Sequence, residues 1–91
     1  MKNGELVVLK TFNGLEAPRD EVRSHDNYWK LIGCSGIVVN ENHPEFLPCP
    51  SAEFKRVLIR FDDILDCHGL ANHNEIKNTI WILVSDLQLL G

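Results

Sequence analysis

The stretch "YWKLIGCSGIVV", Tyr28 to Val39, decides how this chain is expected to fold. Two apolar runs, each too short for an ordinary helix, stand on either side of Gly33 and Gly36. Short runs of Val, Ile and aromatic residues favour strands, and glycine permits the positive φ or the bulge that bends a strand sharply. The stretch therefore predicts one long strand over Tyr28–Asn40 that bends at its two glycines.

Three more segments around this strand have the same chemistry. The first covers roughly Glu5–Phe12, the third is "EFKRVLIRF" at 53–61 and the fourth is "TIWILV" at 79–84. Alternation of apolar and other residues predicts one buried face and one largely solvated face on the third strand. In the following "SDLQLL", Ser85 or Asp86 is expected to cap a single helical turn before a short closing strand. The predicted core residues are Val8, Ile32, Ile37, Val39, Val57, Ile59, Phe61, Ile80 and Ile82.

The chain is short, but its connections are long. Ninety-one residues are far fewer than the ~200 beyond which chains divide into several cores, so residues 1–91 are predicted to form a single domain. The connections at 13–27, 41–53 and 62–78 are polar. Ordered loops of this length in a small domain are often where binding occurs.

The order of these segments resembles that of small SH3-like barrels, which end in a strand, a helical turn and a last short strand. "GCSGIVV" is also similar to the Gly-x-x-Gly-x-Val core of the KOW-type barrels of ribosomal and transcription proteins. The resemblance implies an all-β fold: a single five-stranded antiparallel SH3-like barrel with long loops and a short helical turn before the last strand. In such a barrel the glycines serve the corner of a strongly bent strand.

The charge of the chain is unevenly distributed. Residues 1–60 carry eight acids and eight bases, so the formal net charge of −4 arises in the last third. An acidic segment disfavours a phosphate backbone and favours a basic partner. The last third contains one base, Lys77, and five acids, which are Asp62, Asp63, Asp66, Glu75 and Asp86.

No catalytic set is predicted. "GCSG" lacks the Gly-x-Ser-x-Gly pattern of a nucleophile turn, and "FDDILD" lacks the glycine and terminal Glu of a calcium-binding loop. His68 and His73 form one His-x4-His pair, but the chain has no Cys-x2–4-Cys pair to supply the other two ligands of a zinc site. We therefore expect a protein that is not an enzyme and has no metal, no cofactor and no small-molecule substrate.

The cysteines and the hydropathy pattern indicate in which cellular compartment the protein is expected. The chain has an odd number of cysteines and no Cys-x-x-Cys pair, which is typical of a protein from a reducing compartment. The three cysteines are Cys34, Cys49 and Cys67. No apolar run approaches the ~18 residues of a membrane span. We expect a cytoplasmic protein with no membrane partner.

Three functions are compatible with these features. A KOW-like nucleic-acid or ribonucleoprotein-binding barrel would rely on Lys55, Arg56 and Arg60, but acids match bases in number over residues 1–60, so nucleic acid is a disfavoured partner. A peptide-binding assembly adaptor would expose an apolar groove. In size, charge and lack of catalytic residues, the chain also resembles small acidic bacterial immunity proteins.

The resemblance to immunity proteins implies a non-catalytic protein-binding module that neutralises a cognate bacterial toxin, such as a nuclease, by blocking its basic active site with acidic loops. This function is the preferred prediction, because carboxylates that replace phosphate groups give both steering and charge-assisted hydrogen bonds. The protein partner would then be a basic toxin domain. The predicted partner-binding residues are Asp62, Asp63, Asp66 and Glu75, with Asp26, Tyr28, Trp29 and His73 from flanking loops.

Overall fold

Five short strands form one antiparallel sheet in the computed structural model, which describes residues 1–23, 26–49, 51, 54–62, 69–70, 76 and 78–90. In the sheet the strands are ordered β4-β3-β2-β1-β5. Two short 3-10 turns, Tyr28–Leu31 and Val84–Asp86, complete the described secondary structure. The strands are β1 (Leu6–Leu9), β2 (Ser35–Asn40), β3 (Arg56–Phe61), β4 (Thr79–Leu83) and β5 (Leu87–Leu89).

The predicted all-β architecture is confirmed in its strand number, its antiparallel pairing and its helical turn before the last strand. Across the described residues the sheet is not closed, because no ladder joins its edge strands β4 and β5. The two edges nevertheless meet at one corner. A flat five-stranded sheet would hold them about 19 Å apart, whereas Val84–Asp86 is the whole connection between them. The sheet must therefore curl strongly.

The core lies on the inner face of this curled sheet, and the prediction of that face is correct for β3 and β4. Val57, Ile59 and Phe61 are buried on β3, and Ile80 and Ile82 are buried beside them on β4. The pairing of Val57 with Ile82 and of Ile59 with Ile80 brings these side chains into contact on one face. The predicted alternation therefore identified the inner face of both strands.

On β1 the predicted face is wrong by one residue. Val7 and Leu9 are the buried residues, while Val8, which was expected in the core, is half-buried on the outer face. The register pairs Leu6 with Ile37, so Ile37 lies on that outer face as well and is also half-buried. Because side chains alternate with a period of two, a shift of one residue exchanges the two faces.

A β-bulge accounts for the other error on β2. The register of β2 against β3 shifts between Val38 and Asn40, which leaves Val39 without a direct partner. Val38 is buried opposite Ile59, whereas Val39 is half-buried rather than part of the core. Ile32, the last residue of the predicted set, packs against the core but is also only half-buried.

The opening stretch does not form one bent strand. Tyr28–Leu31 is a 3-10 turn, and β2 begins only at Ser35. Gly33 lies between them with φ +92°. Its N–H donates to the Leu9 carbonyl at 2.8 Å. The predicted special backbone at Gly33 is therefore correct, but it ends a turn rather than bending a strand.

The expectation that Tyr28 and Trp29 point to opposite faces is wrong for the same reason. Both rings pack on Phe12, with centroid distances of 5.7 Å for Tyr28 and 4.9 Å for Trp29. Successive residues in a 3-10 turn are separated by about a third of a turn rather than by half a turn as in a strand. Two adjacent aromatic side chains can therefore cover the same part of the core.

Neither Ser85 nor Asp86 caps the second 3-10 turn. The N-cap position is Leu83, and no side chain hydrogen-bonds there. The Asp86 carboxylate is buried and binds a different segment, accepting hydrogen bonds from the Asn13 and Gly14 amides at 2.9 Å each and from the Thr11 hydroxyl at 2.6 Å. Asp86 therefore fixes the loop after β1 and is not part of an acidic surface.

Candidate functional site: two surfaces at opposite ends of the sheet

Asp62 is the predicted partner-binding acid whose position the structure defines best. It is exposed just after β3, and its amide donates to the Ser35 carbonyl at 3.0 Å. The Ser35 hydroxyl donates to the Asp62 carboxylate at 2.7 Å. One contact of the Asp62 backbone and one of its carboxylate thus place this exposed side chain beside Ser35. We call this end of the sheet, with Ser35, Asp62 and the 3-10 turn Tyr28–Leu31, the acidic end.

The aromatic residues of the prediction lie at the acidic end. The turn Tyr28–Leu31 leads into β2 at Ser35 through Gly33, so Tyr28 and Trp29 are close in the chain to the residue that holds Asp62. Both aromatic side chains are half-buried. Burial raises the pKa of the Tyr28 phenol, and the negative charge of Asp26 raises it further. Asp26 is thus within electrostatic reach of Tyr28, and the rings of Tyr28 and Trp29 lie together on Phe12.

Two buried polar atoms in this group have no hydrogen-bond partner among the described residues. They are the Asn27 side-chain oxygen and the Trp29 indole nitrogen. Each such atom costs about 1–3 kcal/mol relative to a paired one. One is an acceptor and the other a donor, and both are shielded from solvent.

The other four predicted acidic-surface residues, Asp63, Asp66, His73 and Glu75, lie outside the described residues. Their place in the chain is between Asp62 and Asn78, and the Phe61 amide donates to the Asn78 carbonyl at 3.0 Å. The connection that carries them therefore leaves and rejoins the sheet at the acidic end. Of the described four, Asp62 is held by Ser35 at the end of β3, whereas Tyr28 and Trp29 pack on Phe12.

A pocket lies at the other end of the same strands, and sequence reasoning missed it. Its volume is about 300 Å³. β2 ends, β3 begins and β4 ends at this pocket, about 17 Å along β3 from the acidic end. We call it the Phe54 pocket. It is lined by His43, Leu47, Pro48, Phe54, Arg56 and Leu83.

His43 fixes one wall of the Phe54 pocket. Its Nδ1 accepts a hydrogen bond from the Arg56 amide at 3.0 Å. Its Nε2 lies 3.0 Å from the Leu47 carbonyl, which only accepts hydrogen bonds. The ring therefore accepts at Nδ1 and donates from Nε2, and it ties the loop 41–49 to the first residue of β3.

The guanidinium of Arg56 is the charged group of the Phe54 pocket. It donates to the Trp81 carbonyl at 3.0 Å and to the Asn13 side-chain oxygen at 2.8 Å. Burial lowers the pKa of Arg56, and the charge of Asp86 opposes that shift. Both hydrogen-bond acceptors are neutral, so among the described residues no carboxylate is hydrogen-bonded to this partly buried cation.

Two exposed aromatic rings lie on the segments that form the Phe54 pocket. Phe46 is 74% exposed and Phe54 is 51% exposed. The Phe46 ring meets Trp81 edge to face, with centroids 6.3 Å apart. Neighbouring Leu58, predicted on the solvated face of β3, is only 6% exposed opposite Trp81. Exposed apolar groups gathered in one place are typical of an interaction site.

A signal for this surface was present in the sequence. The connection 41–53 was predicted to be a binding loop from its length, and Phe46, which it contains, and Phe54, which directly follows it, are separated by Pro48 and Pro50. What the sequence did not reveal is that β4 brings Trp81 and Leu83 against that loop, because this contact depends on the pairing of distant strands.

The described residues contain no group of three or more His, Cys, Asp or Glu side chains that could hold a metal ion. Cys67, His68 and His73 of "CHGLANH" lie outside them, so the absence of zinc stays a prediction. Cys34 and Cys49 are free cysteines, and Cys34 packs against the core as a small apolar group. Within the described ranges no helix has the length and apolar character of a membrane-spanning segment.

No family model, no curated protein and no solved structure matches this chain.

Proposed function

We propose that this chain is a non-catalytic protein-binding module, specifically an immunity protein that neutralises a basic toxin by covering its active site with the acidic end. The observation that carries the proposal is the exposed Asp62 carboxylate. Ser35 holds it in place at 2.7 Å, where the acidic connection 63–77 begins. A carboxylate already fixed in the free protein loses little side-chain entropy when it pairs with a Lys or Arg.

The aromatic group at the acidic end supports the same proposal. Tight interfaces combine a few aromatic anchors with charged groups around them. Tyr28 and Trp29, which are both half-buried in the turn that leads to Ser35, supply such anchors.

The experiment that tests this function is co-expression with the toxin-like product of the adjacent gene. The protein should co-purify with that product and restore growth. Asp62→Asn should slow association roughly threefold at low salt and weaken its salt dependence, because exposed charges act mainly on encounter.

Glu45→Gln is the matched control, since it removes one exposed charge at the opposite end of the sheet. It should leave the association rate nearly unchanged. If neither co-purification nor growth rescue occurs, or if both variants slow association equally, the acidic end is not the toxin-binding surface.

A further inference from the structure

The Phe54 pocket has a chemistry that the proposed function does not use. It lies at the opposite end of the strands from Asp62, and its walls are apolar except for His43 and Arg56. A ligand of this pocket would therefore bind independently of the toxin. The proposal for the pocket and the proposal for the acidic end can each fail without the other.

The size of the Phe54 pocket limits what it holds. About 300 Å³ is at the small end of the range of ligand pockets. It has room for one large side chain rather than for an extended cofactor. Leu47, Pro48 and Leu83 offer apolar contacts, and the half-exposed Phe54 ring forms an accessible wall. The fitting group is thus one aromatic or branched aliphatic side chain.

The charge of Arg56 determines the second part of the ligand. A guanidinium has five N–H donors, and two of the Arg56 nitrogens bind the neutral oxygens of Trp81 and Asn13. Among the described residues no carboxylate is hydrogen-bonded to this partly buried cation, and the charge of Asp86 acts on it without a direct contact. Such a cation favours an anion, and a carboxylate matches its planar donor geometry best.

The charges around the pocket are balanced, unlike those of the whole chain. Lys55 directly follows Phe54 in the chain. Glu41 and Glu45 are the acids of the described loop before β3. In the described segments 41–49 and 54–56, Lys55 and Arg56 match the two acids in number, whereas the whole chain has a formal net charge of −4. An anion therefore meets no excess of negative charge at this pocket.

The apolar group and the carboxylate must reach the same small pocket. In an extended peptide, side chains of adjacent residues point to opposite sides, so a neighbouring Asp or Glu would point away from a pocket that holds the apolar side chain. The last residue of a polypeptide carries both groups on one Cα atom. We propose that the Phe54 pocket binds the carboxyl-terminal residue of a partner polypeptide, with its large apolar side chain against Phe54 and its α-carboxylate on Arg56.

The test uses three acetylated tetrapeptides, Ala-Ala-Ala-Phe with a free carboxylate, the same peptide as its amide, and Ala-Ala-Ala-Ala with a free carboxylate. Binding to the intact protein is followed by amide chemical shifts in NMR titrations. The Phe carboxylate peptide should bind with shifts centred on the pocket residues. Both the amide and the Ala peptide should bind at least about tenfold more weakly, since each lacks one of the two groups.

Variants of the protein supply the reciprocal test. Phe54→Ala should weaken binding of the Phe carboxylate peptide about fivefold by removing a pocket wall. Leu89→Ala is the matched control, because Leu89 is exposed to the same degree, 50% against 51%, but lies on β5. Arg56→Gln should remove the preference for the carboxylate over the amide. If Arg56→Gln does not fold, the three peptides on the unaltered protein still decide the question.

Other kinds of ligand in the Phe54 pocket would give different results in these titrations. Equal affinity for the carboxylate and the amide would overturn the role of Arg56, and the absence of binding at millimolar peptide would overturn the site. Phenylacetate binding as tightly as the tetrapeptide would show a small apolar acid to be the ligand, against our proposal. Binding of a single-stranded RNA oligonucleotide that depends on Lys55, Arg56 and Arg60 would assign this surface to nucleic acid instead.

Discussion

At the scale of single residues, Asp86 shows how charge patterning and burial can disagree. It belongs to the acidic last third, yet it is 1% exposed and accepts hydrogen bonds from Thr11, Asn13 and Gly14. A count of charges cannot distinguish a solvated acid from one that binds backbone amides. The acidity available to a partner is therefore smaller than the sequence suggested.

We expect Asp86→Ala to lower the free energy of unfolding by about 3 kcal/mol, because it leaves two backbone amides and one hydroxyl without their part-buried acceptor. Urea denaturation measures this. Thr11→Val removes one donor and keeps the carboxylate, so it should cost only about 1 kcal/mol. A loss below about 0.5 kcal/mol for Asp86→Ala, which is the size of ordinary surface effects, would contradict a structural role for this carboxylate.

The pKa of Tyr28 gives a second prediction at this scale. Burial and then Asp26 raise it above its ordinary value of 10.0, so the folded state favours the neutral phenol. This contribution to stability is fully present below the ordinary pKa and is lost as pH rises through the raised pKa. The chain has one tyrosine, so phenolate absorbance reports on it directly.

The titration midpoint in the folded protein should lie above that of the denatured chain. Asp26→Asn should lower it only in part, because burial, the larger cause, remains. A folded protein that titrates at the same pH as the denatured chain would show that the Tyr28 hydroxyl is fully solvated.

At the scale of the elements, the strands that alternate were predicted correctly and those that do not alternate were predicted less well. In β3 and β4 one face carries an apolar side chain at every second position, so the pattern itself selects a face, although Leu58 and Thr79 on the other face are buried as well. β1 is "LVVL" and the apolar part of β2 is "IVV", where either face is equally apolar. For these two strands the register with their neighbours determines which face is buried, and that register depends on contacts between residues distant in sequence.

The 3-10 turn at Tyr28–Leu31 was missed because its residues, taken alone, favour a strand. What determines the turn is tertiary contact. Phe12 accepts both aromatic rings, and Cys34 donates to the Leu31 carbonyl at 2.8 Å to end the turn. The Phe54 pocket was missed for a similar reason, since one wall comes from a loop and the other from β3 and β4.

Gly36 gives the prediction that belongs to β2. A Cβ atom there would lie 2.6 Å from the Arg60 carbonyl oxygen and 2.8 Å from a methyl group of Ile59. Gly36→Ala should therefore force β2 and β3 apart and lower the free energy of unfolding by about 3 kcal/mol. Gly33→Ala is the comparison, because no atom lies within 4 Å of its added Cβ.

Gly33→Ala should cost only about 1 kcal/mol, from its positive φ alone. Thermal and urea unfolding of both variants measure the difference. If Gly33→Ala proved the more damaging change, backbone conformation rather than the close approach of β3 would limit this part of the fold.

At the scale of the whole molecule, one core joins the acidic end and the Phe54 pocket. Its buried residues come from all five strands and include Val7 of β1, Val38 of β2 and Leu87 of β5. The turn Val84–Asp86 joins the two edge strands directly, and Arg56 reaches the Trp81 carbonyl on edge strand β4 and the side chain of Asn13 in the loop after β1. A small domain with one shared core is expected to unfold as a single unit.

The two tryptophans provide the measurement, because Trp29 lies at the acidic end and Trp81 lies beside the Phe54 pocket. In Trp81→Phe only the acidic end fluoresces, and in Trp29→Phe only the pocket end does. Within each variant, the urea midpoint from fluorescence should equal the midpoint from far-UV circular dichroism, since neither end keeps its structure once the shared core is lost. Each variant serves as its own control, so a change in overall stability does not matter. A fluorescence transition that precedes the dichroism transition would show that one end unfolds separately, and the surface at that end would then be supported by local contacts rather than by the sheet.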